Sequence, residues 1–221
     1  MKLFIDSGDP REIREAHEWG IIDGVTTNPS LAGQTGRPYK DVILEILSII
    51  NGPVSLQVVS DRLDQMIEQG KKLAGLHENV VVKVPATKEG IQAGQALLKE
   101  GIKVNVTLVF SVNQALLAGK IGVTYCSPFV GRIDDIGQDG NQVIEEIRQV
   151  YDTYQFETKI LYASVRHPKH VREAALLGCD IATVPYGVLE KLYQHSLTTQ
   201  GLKKFLDDWF GAGLRLPWEE K

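Results

Sequence analysis

Asn79-Val80-Val81-Val82-Lys83-Val84-Pro85 is a short apolar run broken by one lysine and halted by proline. Its β-branched residues and length predict a strand buried on both faces, the signature of a parallel sheet. An amphipathic segment over 88–100 follows and stops at Gly101, and the next apolar run is Val104-Asn105-Val106-Thr107-Leu108-Val109. Strand, helix and strand in this order form one crossover unit.

The same unit recurs in both directions along the chain. Strands are expected over 3–6, 24–27, 54–59, 79–84, 104–109, 124–129, 159–163 and 180–184. Helices are expected from Pro10 to Gly20 and over 38–50, 62–76, 88–100, 112–119, 140–154, 168–177, 186–194 and 199–210. Asp9-Pro10-Arg11-Glu12 combines a capping residue, a first-turn proline and an acidic third position, which fixes the first helix start. Eight such units predict an α/β fold, a single (β/α)8 TIM barrel over 1–221 with an extra C-terminal helix and tail over 198–221. The alternative is an open doubly wound sheet, but no G-x-G-x-x-G follows the first strand.

Composition narrows the class of function. At 221 residues with 43% hydrophobic and 24% charged, the chain can bury a large core and is not a disordered polymer. A net charge of −4 with no basic block speaks against nucleic acid or an anionic membrane surface as partner. Two cysteines, Cys126 and Cys179, make neither a disulfide framework nor a four-cysteine zinc site, which fits a reducing cytosol. His167 and His170 are separated by Pro168 and lack a carboxylate-rich motif, so no metal site is expected.

The residues that carry chemistry are polar ones inside apolar strands, because barrel enzymes place their groups at the C-terminal strand ends. Alternation puts Val80, Val82 and Val84 on one face and Val81 and Lys83 on the other. The all-valine face suits outer helices, which sends Lys83 into the barrel. A lysine there loses hydration, its pKa falls, and the neutral amine is a nucleophile for a ketone. A lysine that snorkels to the rim or pairs with a carboxylate is the alternative reading. Ser55 shares a phase with Gln57, Asn105 with Thr107, Ser127 with Phe129, and Ser164 with Arg166; Asp6 and Asn28 end the first two strands. So many near strand ends suggest a lined polar pocket. Arg132, Ser164 and Arg166 could together hold a phosphate. Asp6 reads either as a cap or salt-bridge partner, or as a carboxylate acting on a proton near Lys83.

Five motifs carry a family resemblance: Asp23-Gly24-Val25-Thr26-Thr27-Asn28-Pro29-Ser30, Val81-Val82-Lys83-Val84-Pro85, Asn105-Val106-Thr107-Leu108-Val109-Phe110-Ser111, Ser127-Pro128-Phe129-Val130-Gly131-Arg132 and Ala163-Ser164-Val165-Arg166-His167-Pro168. The chain resembles the short transaldolases and the fructose-6-phosphate aldolases from residue 2 to about 210. The resemblance implies a Schiff base on Lys83, with Asp6 taking the C4 hydroxyl proton and neither metal nor cofactor. It implies that Asn28, Asn105 and Ser127 hold the three-carbon unit and that Thr107 holds a relay water. Arg132, Ser164 and Arg166 would hold the phosphate of the sugar phosphate substrates. It also suggests a pentamer-based homo-oligomer, often a decamer, with the C-terminal helix reaching a neighbouring subunit.

Two positions of the resemblance disagree. Transaldolases resemble each other in having glutamate where this chain has Gln57, with phenylalanine at the position of Phe129. The aldolases pair glutamine with tyrosine there. A glutamate can accept a proton from the relay water, whereas Gln57 only orients it. Asn105 and Ser127 look transaldolase-like, so the expectation leans to transaldolase, with fructose-6-phosphate aldolase as the alternative.

Overall fold

The computed structural model describes residues 1–218. Eight parallel strands close into a barrel in sequence order: β1 (Lys2–Asp6), β2 (Gly24–Thr26), β3 (Val54–Gln57), β4 (Val80–Pro85), β5 (Val104–Val109), β6 (Tyr125–Pro128), β7 (Lys159–Tyr162) and β8 (Ile181–Val184). The helices among the described residues are α1 (Pro10–Glu18), α2 (Pro29–Gly33), α3 (Tyr39–Ile49), α4 (Leu63–Ala74), α5 (Lys88–Lys99), α6 (Val112–Ile121), α7 (Val130–Asp135), α8 (Gly140–Thr153), α9 (Pro168–Leu176), α10 (Tyr186–Leu192) and α11 (Ser196–Gly211). None is long and apolar enough to cross a membrane. The chain divides into two compact units, Met1–Leu189, which holds the barrel, and the residues from Glu190 onward.

The closed barrel and the C-terminal helix agree with the expected α/β class. Two short helices were not expected. Asn28-Pro29 reads as a strand stop, yet Asn28 is the cap of α2: its Oδ1 accepts from the Leu31 N–H at 3.1 Å, with Pro29 in the first turn. The chain after Phe129 reads as a polar loop, and α7 begins there without any side-chain cap. α11 starts at Ser196, before the expected 199, because the His195 side chain accepts from the Leu197 N–H.

Strand phase sets what faces inward. Phe4, Val81, Tyr125, Leu161, Ala163 and Ile181 fill the barrel interior, with Phe129 packed against them. The opposite phase of β4 packs outward. A Cβ on Gly70 of α4 would meet Leu97 and Val82, and one on Gly94 of α5 would lie against Val84 and Val104. Small residues thus let the helices sit close on the valine face, and Lys83 follows Val81 inward. Cys126, opposite in phase to Ser127, faces the other way and is fully buried, its thiol pushed up to about 12 by burial.

Candidate active site

The C-terminal strand ends surround a cavity of about 300 Å³. Its lining includes Asp6, Asn28, Lys83, Asn105, Thr107, Ser127, Phe129, Arg132, Ser164 and Arg166. Of the expected residues only Gln57 is elsewhere: it lines a second, largely apolar groove of about 430 Å³ with Pro29, Tyr39, Val59 and Leu73. Gln57 is the last residue of β3.

Lys83 is 5% exposed, and its Nζ donates to the Thr27 carbonyl at 2.7 Å. Burial pulls its pKa from 10.5 down to about 8, against the opposing pull of Asp6. A useful fraction of the amine is therefore neutral near physiological pH. Register places Asn105 beside Lys83 and Thr107 beside Pro85.

Asp6 ends β1 opposite Thr26 of β2. Burial pushes its carboxyl up, while Lys83 and the Thr26 hydroxyl hold it down. Thr26 Oγ1 donates to Asp6 Oδ1 at 2.7 Å and lies 2.6 Å from Thr183 Oγ1. A hydroxyl has one hydrogen, so Thr183 must be the donor to Thr26. The three form a directed chain, Thr183 to Thr26 to Asp6, with both threonines buried. Sequence reasoning passed over Thr26 and Thr183, because threonine is an ordinary strand former. The available signal was their position: each interrupts an otherwise apolar strand near its C-terminal end.

A second network spans the floor. Ser127 Oγ donates to Asn105 Oδ1 at 2.7 Å, and Asn105 Nδ2 donates to Ser55 Oγ at 3.2 Å. These bonds fix the Asn105 amide so that its orientation is set by neighbours on both sides. Asn28 spends its carbonyl on the α2 cap, leaving its NH₂ as the group that can donate into the cavity. Thr107 Oγ1 is buried without a protein partner and lines the cavity. Leu108, just after it, has φ +57° where β5 and β6 shift register, and this bulge turns the strand end beside Thr107.

The cationic end lies across β6 and β7. Arg132 rises from α7 with its guanidinium 5.1 Å from the Phe129 ring centre. Arg166 pairs with Asp135 at 2.7 Å. Ser164 has φ +62°, and any Cβ on Gly131 would run into the Ser164 carbonyl oxygen and the Arg166 side chain. Glycine at 131 therefore allows α7 to approach the chain after β7. Among the described residues no group of three or more His, Cys, Asp or Glu is placed to hold a metal.

A closed barrel with a buried, pKa-depressed lysine, a carboxylate and two arginines at its mouth defines the kind of site to which the comparisons speak. Residues 3–215 match the family model described as Transaldolase/Fructose-6-phosphate aldolase, and the chain belongs to that family. A protein of Aquifex aeolicus named "Probable transaldolase" is 56% identical over 209 residues, covering 95% of this chain and 96% of that protein. Its namesake in Methanococcus vannielii is 55% identical over 209 residues, covering 95% and 97%. Among solved structures, thiamine phosphate pyrophosphorylase from Pyrococcus furiosus superposes with TM-score 0.55 at 17% identity, covering 83% of this chain and 85% of that one. A flavocytochrome b2 variant reaches 0.59 at 12% identity, over 84% and 57%. These two share the fold alone.

Proposed function

We propose that this chain is a transaldolase that moves a dihydroxyacetone unit between sugar phosphates through a Schiff base on Lys83. The observation that carries this reading is a buried lysine, near pKa 8, in one cavity with Asp6. The neutral amine attacks C2 of a ketose phosphate such as fructose 6-phosphate or sedoheptulose 7-phosphate, and water leaves to give an iminium. Asp6 takes the C4 hydroxyl proton, the C3–C4 bond breaks, and its electron pair flows into the iminium to form an enamine. An aldose phosphate departs. A second aldose phosphate enters, the enamine C3 attacks its aldehyde, and the new alkoxide recovers the proton. Water then hydrolyses the iminium and frees Lys83.

Asn28, Asn105 and Ser127 hold the hydroxyls of the three-carbon unit. Thr107, with an unpartnered buried hydroxyl, suits a water that relays protons. Arg132, Ser164 and Arg166 hold the phosphate. The active form is a homo-oligomer in which α11 packs on a neighbouring subunit. Support for that comes from α11 itself, which has no buried residue and presents Leu202, Phe205, Leu206 and Phe210 to solvent.

A second reading, fructose-6-phosphate aldolase, rests on residue identity alone, since the aldolases carry glutamine at the position of Gln57, although here that side chain lines the neighbouring groove and not the cavity. Borohydride added with fructose 6-phosphate should leave a reduced three-carbon adduct on Lys83. No adduct, with activity retained in Lys83→Arg, would sink both readings. Rapid glyceraldehyde 3-phosphate release without an acceptor aldehyde would select the aldolase, and comparison with Gln57→Glu measures how far this position decides it.

A further inference from the structure

Arg166 lies between β7 and α9, in a connection whose backbone the sheet does not hold. The N–H of Arg166 donates to Nδ1 of His170 at 3.2 Å. His170 is 4% exposed in the first turn of α9 and does not line the cavity. Its other ring nitrogen, Nε2, stands 3.1 Å from Asp134 Oδ2 on α7. A ring that accepts at Nδ1 and faces a carboxylate at Nε2 carries its proton on Nε2, a tautomer assigned from these partners. Asp135, the next residue of α7, holds the Arg166 guanidinium at 2.7 Å. Consecutive aspartates of one short helix thus brace Arg166 at both ends, one through His170 and one directly. Arg132 rises from the same helix, so the bracing also fixes the spacing between the two arginines.

We infer that His170 is a positioning residue for phosphate recognition: by accepting the Arg166 N–H at Nδ1 it sets the backbone that aims the guanidinium. This rests on the reading of Arg166 as a phosphate ligand. The groups facing the imidazole are compatible with a neutral ring. Burial holds its pKa below the ordinary imidazole value and His167 adds to this, while Asp134 and Glu173 oppose it. Tyr162 of β7 packs on the same ring, with its hydroxyl spent on Asn141. Protonation would place a hydrogen on Nδ1 against the Arg166 N–H.

Two substitutions separate this role from mere packing. In His170→Asn, Oδ1 falls where Nδ1 was and still accepts from Arg166. In His170→Gln, the amide reaches the position of Nε2 and the Arg166 N–H loses its acceptor. His170→Gln should raise KM for fructose 6-phosphate about tenfold, and His170→Asn by less than about threefold, as expected for loss or retention of one buried hydrogen bond. Trapping of dihydroxyacetone, which has no phosphate, should be unchanged in both. Sulfate binding by calorimetry supplies a readout that needs no reaction and should weaken in parallel with KM. Equal sulfate affinity in all three proteins, equal loss in both variants, or no sulfate binding to the wild type would overturn the inference. If fructose 6-phosphate leaves no adduct on Lys83, the Schiff-base reading falls, while the sulfate series still decides the role of His170.

Discussion

The Lys83 amine donates a hydrogen bond to the Thr27 carbonyl over 2.7 Å, tying the buried cation of β4 to the end of β2. A carbonyl can accept from an ammonium or, more weakly, from a neutral amine, so this bond orients the nitrogen in either charge state. Charge is set by burial, which lowers the pKa to about 8, and by Asp6, which opposes the fall.

That balance has a stability consequence. Burying the ammonium costs folding energy, and a fall from 10.5 to about 8 corresponds to ~3 kcal/mol. Lys83→Met should therefore be more stable than the wild type at pH 7 and catalytically dead. Between pH 8 and 10.5 the unfolded lysine holds its proton while the folded one has lost it, so the stability contributed by Lys83 rises with pH. The advantage of Lys83→Met should shrink over that window, as followed by denaturant midpoints. A constant difference would refute it.

Asp6 stabilises the charged form of Lys83. In Asp6→Asn the lysine pKa should fall further, so borohydride trapping of the first adduct should reach its plateau at lower pH. Turnover should nevertheless drop by about a hundredfold or more, because the base for the C4 hydroxyl is gone. Opposite movements of trapping and turnover are the diagnostic result; a joint decline would indicate misfolding or a purely structural Asp6.

Gly131→Ala tests the closeness of α7 to the chain after β7. The new Cβ must displace the Ser164 carbonyl or the Arg166 side chain. KM for fructose 6-phosphate should rise about ten- to hundredfold, the range for losing one hydrogen bond to a charged group. Adduct formation with dihydroxyacetone should survive, since Lys83 and Asp6 lie on other strands. An unchanged KM would remove Arg166 and Ser164 from the phosphate site.

Leu202, Phe205, Leu206, Trp209 and Phe210 recur at helical spacing along α11, and Phe205 and Phe210 are 72% and 73% exposed. Placing Glu at both Phe205 and Phe210 should shift the sedimentation coefficient toward smaller species. A wild type that already sediments as a monomer would dismiss the proposed assembly.

Much of the site could be read from single strands. Lys83, Asn105 and Ser127 stand out because an ammonium, an amide or a serine hydroxyl inside a buried apolar run violates the pattern that makes the strand. Asn28-Pro29 reads as a strand stop, although a cap residue before a first-turn proline also starts a helix, and α2 begins there. The chain at 129–135 carried no such signal, and α7 forms without a side-chain cap. Thr26 and Thr183 were hidden by being good strand residues. The positive φ at Leu108 and Ser164 breaks the usual preference for glycine or asparagine, so residue type gave no warning.

Strand phase is local: successive side chains alternate, and apolar alternation alone turned Val81 and Lys83 inward and Val82 and Val84 outward. Eight repeats of one crossover unit were likewise written in the chain. Convergence is not local. Asp6 and Thr183 share a hydrogen-bonded chain through Thr26 because closing the barrel makes β1 the neighbour of both β2 and β8. Gln57, although in phase with Ser55, lies in the neighbouring groove with Tyr39 and Leu73, a placement that strand phase did not give. The His170–Arg166 bond spans only four residues, but Asp134 and Asp135 came to brace that pair because α7 and the start of α9 were folded against each other.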